Sequence, residues 1–404
     1  MAISGGSARR ITVLLAACFA VLGIFVASPA AADVETVEAD SFYLPPDGLA
    51  QAAPGSVLRV RPIQVFGLPL PISAWQVLYR TDDSADRPVA GVATVMVPPL
   101  STPGARPLLS YQVAVDSLGA RCAPSRALRG GWESGFNTLV DSPFMAAALL
   151  RGWAVVTSDY DGPDARFLDG RNAGRGVLDG IRAARGLGQG GLGPASPVGA
   201  YGYSGGAYAT LWAAEHQPSY APDVRFAGVA AGGVPADWVS IARTAEGTGQ
   251  AGLAVLMLHA VVRNNPGSFD LLNDRGRAVL TEDATACGEE LLPKYAGARL
   301  DDFTVAPNVL DHPDFRAALD AQELSSVAPA APTYLFHSTS DNVIPHANFR
   351  TLVDRYCALG ADLAYRHSWL PGHNPAALGE VTGAMNFLSD RFAARPTTPG
   401  CHPR

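Results

Sequence analysis

Short apolar runs alternate with amphipathic segments along most of the chain. Runs that fit buried strands span residues 91–97, 108–115, 153–158, 198–203, 226–231, 333–337 and 363–369, and helical patterns cover 144–151, 176–186 and 207–216. Strands that alternate with helices are typical of a mostly parallel sheet covered by helices on both faces. The pattern therefore predicts an α/β fold.

Two stretches interrupt this alternation. Residues 33–85 are rich in Pro, Ala and Asp and show few clear elements, so we interpret them as an N-terminal arm. Residues 235–325 carry helical patterns, including an apolar segment at 251–263, and lie between strand-like runs. We interpret them as a helical cap inserted into a core of residues 86–234 and 326–404. Extra helices with no gating role are the alternative.

Residues 1–32 have the pattern of a secretory signal peptide. Arg9 and Arg10 precede an apolar run at 11–26, and three alanines at 30–32 provide a cleavage site. This run is shorter than the roughly 20 residues that span a membrane. Weaker alternatives are a lipoprotein box ending at Cys18 and twin-arginine export. We expect a secreted protein, extracellular or associated with the cell envelope, with no integral membrane segment in the mature chain.

Charge and cysteine content fit an exported protein. Residues 33–404 carry 28 basic and 37 acidic side chains, a formal net charge of −9, which disfavours nucleic acid as a partner. Four cysteines remain after residue 32, and an even number in an exported chain predicts two disulfides with three possible connectivities. They are Cys122, Cys287, Cys357 and Cys401. Neither a C-x-x-C nor an H-E-x-x-H motif occurs, so we expect no metal site.

The most informative motif is G-x-S-x-G at residues 202–206, the pattern of a nucleophile elbow. A strand-like run precedes it and a helical pattern follows it. Gly202 and Gly206 leave room for a tight strand-to-helix turn, which would expose the hydroxyl of Ser204 at the end of the sheet. The motif predicts Ser204 as a nucleophile.

A serine nucleophile needs a base and an acid that orients the base, and on this fold they follow the serine in the order acid, then histidine. Asp341 lies in the loop after the strand-like run 333–337, where open α/β sheets bind ligands. Asp354 falls in a helical pattern, and Asp362 directly precedes a strand. We predict Asp341 as the acid; an ordinary turn aspartate is the alternative.

His373 is the predicted base because it follows the last predicted strand, in a loop that could reach Ser204. His346 is close in sequence to Asp341, His367 lies within an alternating strand, and His402 lies near the end of the chain. A packed strand histidine is the alternative role for His367.

Two backbone N–H groups are candidates for the oxyanion hole. Gly205 would offer one at the start of the helix, and Asp116, in the loop after the run 108–115, would offer the other. A turn-capping role is the alternative for Asp116. A G-x-G-x-x-G at 186–191 follows a helix and precedes a strand, the reverse of a dinucleotide site, so we predict a loop there and no cofactor.

Together these motifs resemble the secretory lipase family typified by Candida antarctica lipase A. The similarity covers roughly residues 85–401, and its specific segments are 111–117, 122–125, 159–162, 202–207, 341–345 and 372–373. It implies an α/β-hydrolase fold with Ser204, Asp341 and His373 as a triad, and Asp116 and Gly205 as oxyanion donors. It also implies the pairings Cys122–Cys287 and Cys357–Cys401. The fungal enzyme that typifies the family continues past its last cysteine into a flap over the site, and we expect no such flap here.

The implied function is that of a secreted serine ester hydrolase, a lipase that acts on acyl esters through an acyl-enzyme without cofactor or metal. Its partners would be an acyl ester or lipid substrate and a lipid–water interface. The apolar segment 253–262 could form a wall for an acyl chain, or simply pack onto the core. Alternatives with the same triad are a short-chain carboxylesterase, a polyester-cleaving esterase or a secreted acyltransferase. A non-enzyme alternative is an inactive hydrolase used for binding.

Overall fold

In the part of the chain that the structure describes, ten strands form one sheet, in the order β1-β2-β3-β5-β4-β6-β7-β8-β9-β10. The computed structural model describes residues 40–100, 102, 104–130 and 135–404, so the predicted signal peptide lies outside the described residues. Strands β1, β2, β3 and β5 pair antiparallel, and all pairs from β5 through β4 to β10 are parallel. The strands are β1 Val57–Pro62, β2 Ser73–Asp82, β3 Pro88–Val97, β4 Leu108–Gln112, β5 Ala154–Ser158, β6 Val198–Tyr203, β7 Phe226–Gly232, β8 Thr333–Ser338, β9 Leu363–Ser368 and β10 Cys401–Pro403.

Helices cover both faces of this sheet, which confirms the predicted layered architecture. They are α1 Pro124–Arg129, α2 Phe136–Leu150, α3 Gly170–Gly186, α4 Gly205–Tyr220, α5 Trp238–Ala245, α6 Ala251–Asn264, α7 Asp274–Glu282, α8 Gly288–Lys294, α9 Pro313–Asp320, α10 His346–Ala358 and α11 His373–Phe392. Helices α3, α4 and α10 share one apolar core with the sheet, and α1, α2 and α11 share the other. Successive strand residues point to opposite faces, so Leu108 of β4 joins the first core and Leu109 the second.

Helices α5 to α9 lie between β7 and β8, in the region interpreted as a cap. Helix α6 is buried over nearly its whole length, which accounts for its apolar residues on every side. Its one buried histidine, His259, hydrogen bonds through Nε2 to the carbonyl of Leu280 at 3.2 Å. Among the described residues, no helix is long and apolar enough to cross a membrane.

Several elements differ from the sequence expectation. The stretch 33–85 contains β1 and β2, and β2 shows little alternation because most of its residues are buried. Strand β4 ends at Gln112 because the backbone beyond it bonds to a side chain and not to a neighbouring strand. The Tyr160 hydroxyl donates to the Val113 carbonyl at 2.8 Å and accepts from the Val115 amide at 3.1 Å. Helix α4 continues past Pro218, where the missing N–H affects only its last turn.

Two disulfides join distant segments, in the pairings that the family resemblance implies. Cys122 and Cys287, with Cα atoms 5.6 Å apart, connect the segment after β4 to the N-terminus of α8. Cys357 of α10 and Cys401 of β10 have Cα atoms 5.7 Å apart. The first bridge therefore fastens helix α8, which lies between β7 and β8, to the segment that follows Asp116.

Candidate active site

Ser204 occupies a sharp turn between β6 and α4. Its backbone has φ 54° and ψ −125°, a strained conformation for a residue with a side chain. A Cβ atom at Gly202 would lie 2.2 Å from the Gly206 carbonyl oxygen, and one at Gly206 would lie 2.0 Å from the Gln112 carbonyl oxygen. Both positions therefore require glycine, and the turn has the geometry of a nucleophile elbow.

Asp341 and His373 form a direct hydrogen bond although 32 positions separate them. The loop after β8 carries Asp341, and His373 begins α11; Nδ1 of the histidine lies 2.7 Å from Oδ2 of the aspartate. Oδ1 accepts from the amides of Val343 and Ile344, each at 2.9 Å. Burial alone would raise the pKa of Asp341, but these hydrogen bonds and the neighbouring imidazoles hold it below its ordinary value. The carboxylate can therefore stay ionised and orient the imidazole.

Two further side chains hold His373 in place. The Tyr203 hydroxyl donates to the backbone carbonyl of His373 at 2.7 Å, and its ring centroid lies 4.9 Å from that of the imidazole. Asn342 accepts the backbone N–H of His373 through Oδ1 at 3.0 Å. No sequence motif assigns a role to either residue; the available signal is only that each directly neighbours a predicted triad residue.

A cavity of about 570 Å³ lies beside four of the predicted site residues. Ser204, Gly205, Asp116 and His373 all line it. Its apolar walls come from α2, the inserted helices and α11, and include Phe144, Trp238, Leu253, Leu256, Leu291 and Leu378. None of the described residues that line it is a lysine or an arginine. The cavity therefore suits an uncharged, apolar group beside the serine.

Asp116 and Gly205 lie against each other at one end of this cavity. Gly205 is the first residue of α4, where the amide has no acceptor within the helix. A Cβ atom at Gly205 would lie 2.2 Å from Oδ1 of Asp116, whose own backbone has φ 42°. Burial raises the pKa of Asp116 to about 6, against the opposing charge of His373. The structure thus places both predicted oxyanion residues beside Ser204.

Helix α8 packs directly on the Asp116 loop. The amide of Gly288 donates to the Ser117 hydroxyl at 3.0 Å, and a Cβ atom at Gly288 would lie 2.5 Å from the Asp116 carbonyl oxygen. The disulfide between Cys122 and Cys287 closes the same junction. The left-handed backbone of Asp116 is therefore held from the side of the inserted helices.

Asp141 also lines the cavity, and no sequence motif marks it. Burial raises its pKa to about 7, an interaction with the Tyr111 hydroxyl lowers it, and the charge of Asp116 raises it further. It lies in the first half of α2, which the sequence pattern did not predict as helix. Asp116, Asp141 and Glu289 line the cavity and no lysine or arginine does among the described residues, so the lining offers an anion no permanently charged partner.

The competing candidates lie elsewhere. His346 begins α10 and its Nε2 lies 2.9 Å from Nδ1 of His367 in β9, while His402 lies in β10 at the edge of the sheet. Asp354 is exposed on α10, and Asp362 precedes β9. None of these five lines the cavity. In the described ranges no group of three or more His, Cys, Asp or Glu side chains could hold a metal ion, and residues 186–191 span the end of α3 and the loop before β6.

The chain is similar to known proteins in sequence and in structure. A family model described as secretory lipase matches residues 130–400. A protein named as a probable inactive lipase of Mycobacterium tuberculosis is 36% identical over 370 residues, which are 89% of this chain and 83% of the relative. A secreted triacylglycerol lipase of Malassezia globosa is 33% identical over 383 residues, 90% of this chain and 81% of that protein.

The solved structure of Candida antarctica lipase A in its closed state matches with a TM-score of 0.84 and 27% identity, covering 90% of this chain and 88% of that one. The match confirms the predicted α/β-hydrolase fold. A cell-wall-degrading esterase of Xanthomonas oryzae matches with a TM-score of 0.66 at 16% identity, over 85% of this chain and 98% of the other. At that identity the second match bears on the fold alone.

Proposed function

Because the chain belongs to the secretory lipase family, we propose that it is an exported lipase that hydrolyses uncharged acyl esters, triacylglycerols included, through an acyl-enzyme on Ser204. The observation that carries this proposal is the Asp341–His373 hydrogen bond of 2.7 Å at a cavity that Ser204 also lines. One relative is named inactive, but this chain has a serine at the elbow and a paired acid and histidine, which favours a functional hydrolase.

The site supplies each step of ester hydrolysis. His373 takes the proton of Ser204 as the hydroxyl attacks the ester carbonyl, and Asp341 holds the Nδ1–H and stabilises the imidazolium. The N–H groups of Gly205 and Asp116 hold the negative oxygen of the tetrahedral intermediate; one such donor is worth about 2.7–4 kcal/mol. His373 then protonates the alcohol, and water releases the acid by the same steps in reverse.

The cavity walls support an acyl chain as the group that is recognised. Their side chains are mostly apolar, so each methylene that moves there from water contributes about 0.8 kcal/mol, roughly a factor of four in kcat/KM. An anionic head group would meet the carboxyl groups of Asp116, Asp141 and Glu289 and no lysine or arginine among the described lining residues. Export is part of the proposal, supported by the pattern of residues 1–32 and by two disulfides, which persist in oxidising compartments.

The proposed function predicts a rising chain-length profile. We expect kcat/KM on p-nitrophenyl esters to increase from acetate to octanoate, and emulsified trioctanoylglycerol to be cleaved, because longer chains bury more methylenes in the cavity. The measurement is initial rates across the series. Activity confined to acetate and butyrate would contradict the lipase assignment and favour a short-chain carboxylesterase.

An exposed apolar surface continues outward from the cavity. Helix α2 presents Phe136, Leu139 and Val140 to solvent, with exposures of 57%, 45% and 43%. Phe136 and Val140 also line the cavity, as does the exposed Leu378 of α11. A contiguous apolar rim at the mouth of a lipid site is the expected contact with a lipid–water interface.

Replacing Leu139 by aspartate tests this contact, because Leu139 belongs to the rim but does not line the cavity. We expect the rate on emulsified trioctanoylglycerol to fall about tenfold, since a charge must then lie at the lipid surface, while soluble p-nitrophenyl acetate is cleaved within a factor of two of the original rate. Leu150→Asp is the matched control, because Leu150 is 81% exposed at the far end of the same helix. Equal losses in both variants would argue against a docking role.

A further inference from the structure

His337 lies directly behind the Asp341 loop and is not a member of the triad. It is the fifth residue of β8, its side chain is fully buried, and no motif identified it. Its Nε2 lies 3.0 Å from the backbone carbonyl oxygen of Ile344 and 3.4 Å from Oδ2 of Asp341. A buried imidazole nitrogen thus faces two acceptors of the loop that presents the catalytic acid.

These two acceptors define the protonation of the ring. A nitrogen between a carbonyl oxygen and a carboxylate must carry a hydrogen, so Nε2 is protonated. Burial lowers the pKa of His337 to about 4, which leaves the ring neutral and Nδ1 without a proton. Within the described part of the chain Nδ1 has no hydrogen-bond partner, and the ring stacks on Phe349 at a centroid distance of 5.3 Å. The ring can therefore hold one tautomer.

Both carboxylate oxygens of Asp341 then have N–H groups directed at them. Oδ1 accepts the amides of Val343 and Ile344, and Oδ2 accepts Nδ1–H of His373 and faces Nε2–H of His337. Ile344 is held from both sides, because its N–H donates to Asp341 and its carbonyl accepts from His337. Without His337 this carbonyl would lose its partner, and the turn that aims Oδ2 at His373 would be held by one side only.

We propose that His337 is a positioning residue for the catalytic acid: its Nε2–H holds the Ile344 carbonyl and faces Oδ2 of Asp341, which fixes the turn that presents the carboxylate to His373. The inference rests on the proposed function, because it assigns His337 a role in orienting the base. It extends the arrangement of Ser204, His373 and Asp341 by one member that never contacts substrate.

Charged and titratable groups surround His337, so replacing it is expected to change the pH dependence of the reaction. Asp341 in its own loop, His373 of α11 and His346 of α10 act on His337 through their charges, and His367 of β9 pairs with it in register. Removing the Nε2–H removes a positive dipole end from Asp341. The coupled Asp341–His373 pair then binds a proton more readily, so the base is lost at a higher pH than in the original protein.

The test compares His337→Phe, which keeps a flat ring against Phe349 but has no N–H, with His337→Gln, which restores a donor. We expect kcat of the phenylalanine variant to fall about tenfold with KM unchanged within a factor of two, and the acid limb of its kcat/KM profile to move to higher pH. Hydrogen exchange of the amides in 341–345 should become faster. The glutamine variant should regain most of the rate, the acid limb and the exchange protection.

His259→Phe is the matched control, since this buried ring of α6 also faces a backbone carbonyl through Nε2, that of Leu280 at 3.2 Å, but is not among the groups that act on His337 or Asp341. An unchanged acid limb and unchanged exchange in His337→Phe, or equal losses in the phenylalanine and glutamine variants, would overturn the proposal. Should neither variant fold, ¹⁵N spectra of the unmodified protein decide: a neutral Nε2–H tautomer from pH 5 to 9 is expected, and an Nδ1–H tautomer would overturn it. Hydrogen exchange and the tautomer of His337 can both be measured without catalysis. An inactive protein would therefore refute the proposed function without deciding the role of His337.

Discussion

Replacing Ser204 by alanine is expected to lower kcat for p-nitrophenyl butyrate by about 10⁶-fold. The hydroxyl is the only group at the elbow that can form the acyl-enzyme, and removal of a nucleophile leaves only the contribution of the oxyanion hole and of substrate binding. The change removes one oxygen from a residue at the cavity wall, so the melting temperature should stay close to that of the original protein. Initial rates and thermal melting measure the two effects.

Covalent labelling provides the companion measurement. A fluorophosphonate should modify the original protein once, on the peptide that contains Ser204, and should leave Ser204→Ala unmodified. Ser219→Ala is the matched control, because Ser219 is exposed on the same helix, at the end remote from the elbow. Labelling that persists in Ser204→Ala would assign the nucleophile to another residue. A protein that is never labelled would favour a binding role.

Changing Asp341 to asparagine is expected to lower kcat by about 10⁴-fold with little change in KM. Two amides, of Val343 and Ile344, donate to Oδ1, so the amide oxygen of the new side chain stays at that position. Its NH₂ group then faces Nδ1 of His373 where Oδ2 accepts a proton now. The imidazole is forced into the tautomer with its proton on Nε2, which cannot take the proton of Ser204.

The control for this variant is Asp354→Asn, which removes the same charge from the exposed face of α10. It should keep the original kcat. The double variant Ser204→Ala with Asp341→Asn should be no slower than Ser204→Ala alone, because Asp341 acts on His373, whose role as base is lost with the serine. Independent, multiplying losses would show that Asp341 acts outside the triad.

The three candidate side chains could be identified from sequence because each follows a recognisable strand. Ser204 follows β6, Asp341 follows β8 and His373 follows β9, and the carboxyl ends of parallel strands meet at one edge of a sheet. The elbow glycines add a steric signature that few other turns share. Local sequence patterns therefore indicate the candidate catalytic residues, although these residues are far apart along the chain.

The supporting contacts could not be identified in this way, because they depend on side-chain packing between distant segments. Tyr203 and His373 are 170 positions apart, and Asn342 acts through an amide oxygen that any surface asparagine also has. Packing also explains why β2 was not predicted: both of its faces are buried, so the sequence lacks the alternation of apolar and polar residues that marks a strand. The first half of α2 was missed as well, and with it Asp141 and the exposed apolar rim.

A crystal structure of the protein inhibited by an alkylphosphonate would test most directly whether Ser204, His373 and the oxyanion donors act on the same group. We expect the phosphorus atom on Oγ of Ser204, the phosphonyl oxygen within hydrogen-bond distance of the Gly205 and Asp116 amides, Nε2 of His373 beside the serine oxygen, and the alkyl chain in the apolar cavity. An adduct on another residue, or an imidazole that stays out of reach of the serine oxygen, would contradict this account of the site.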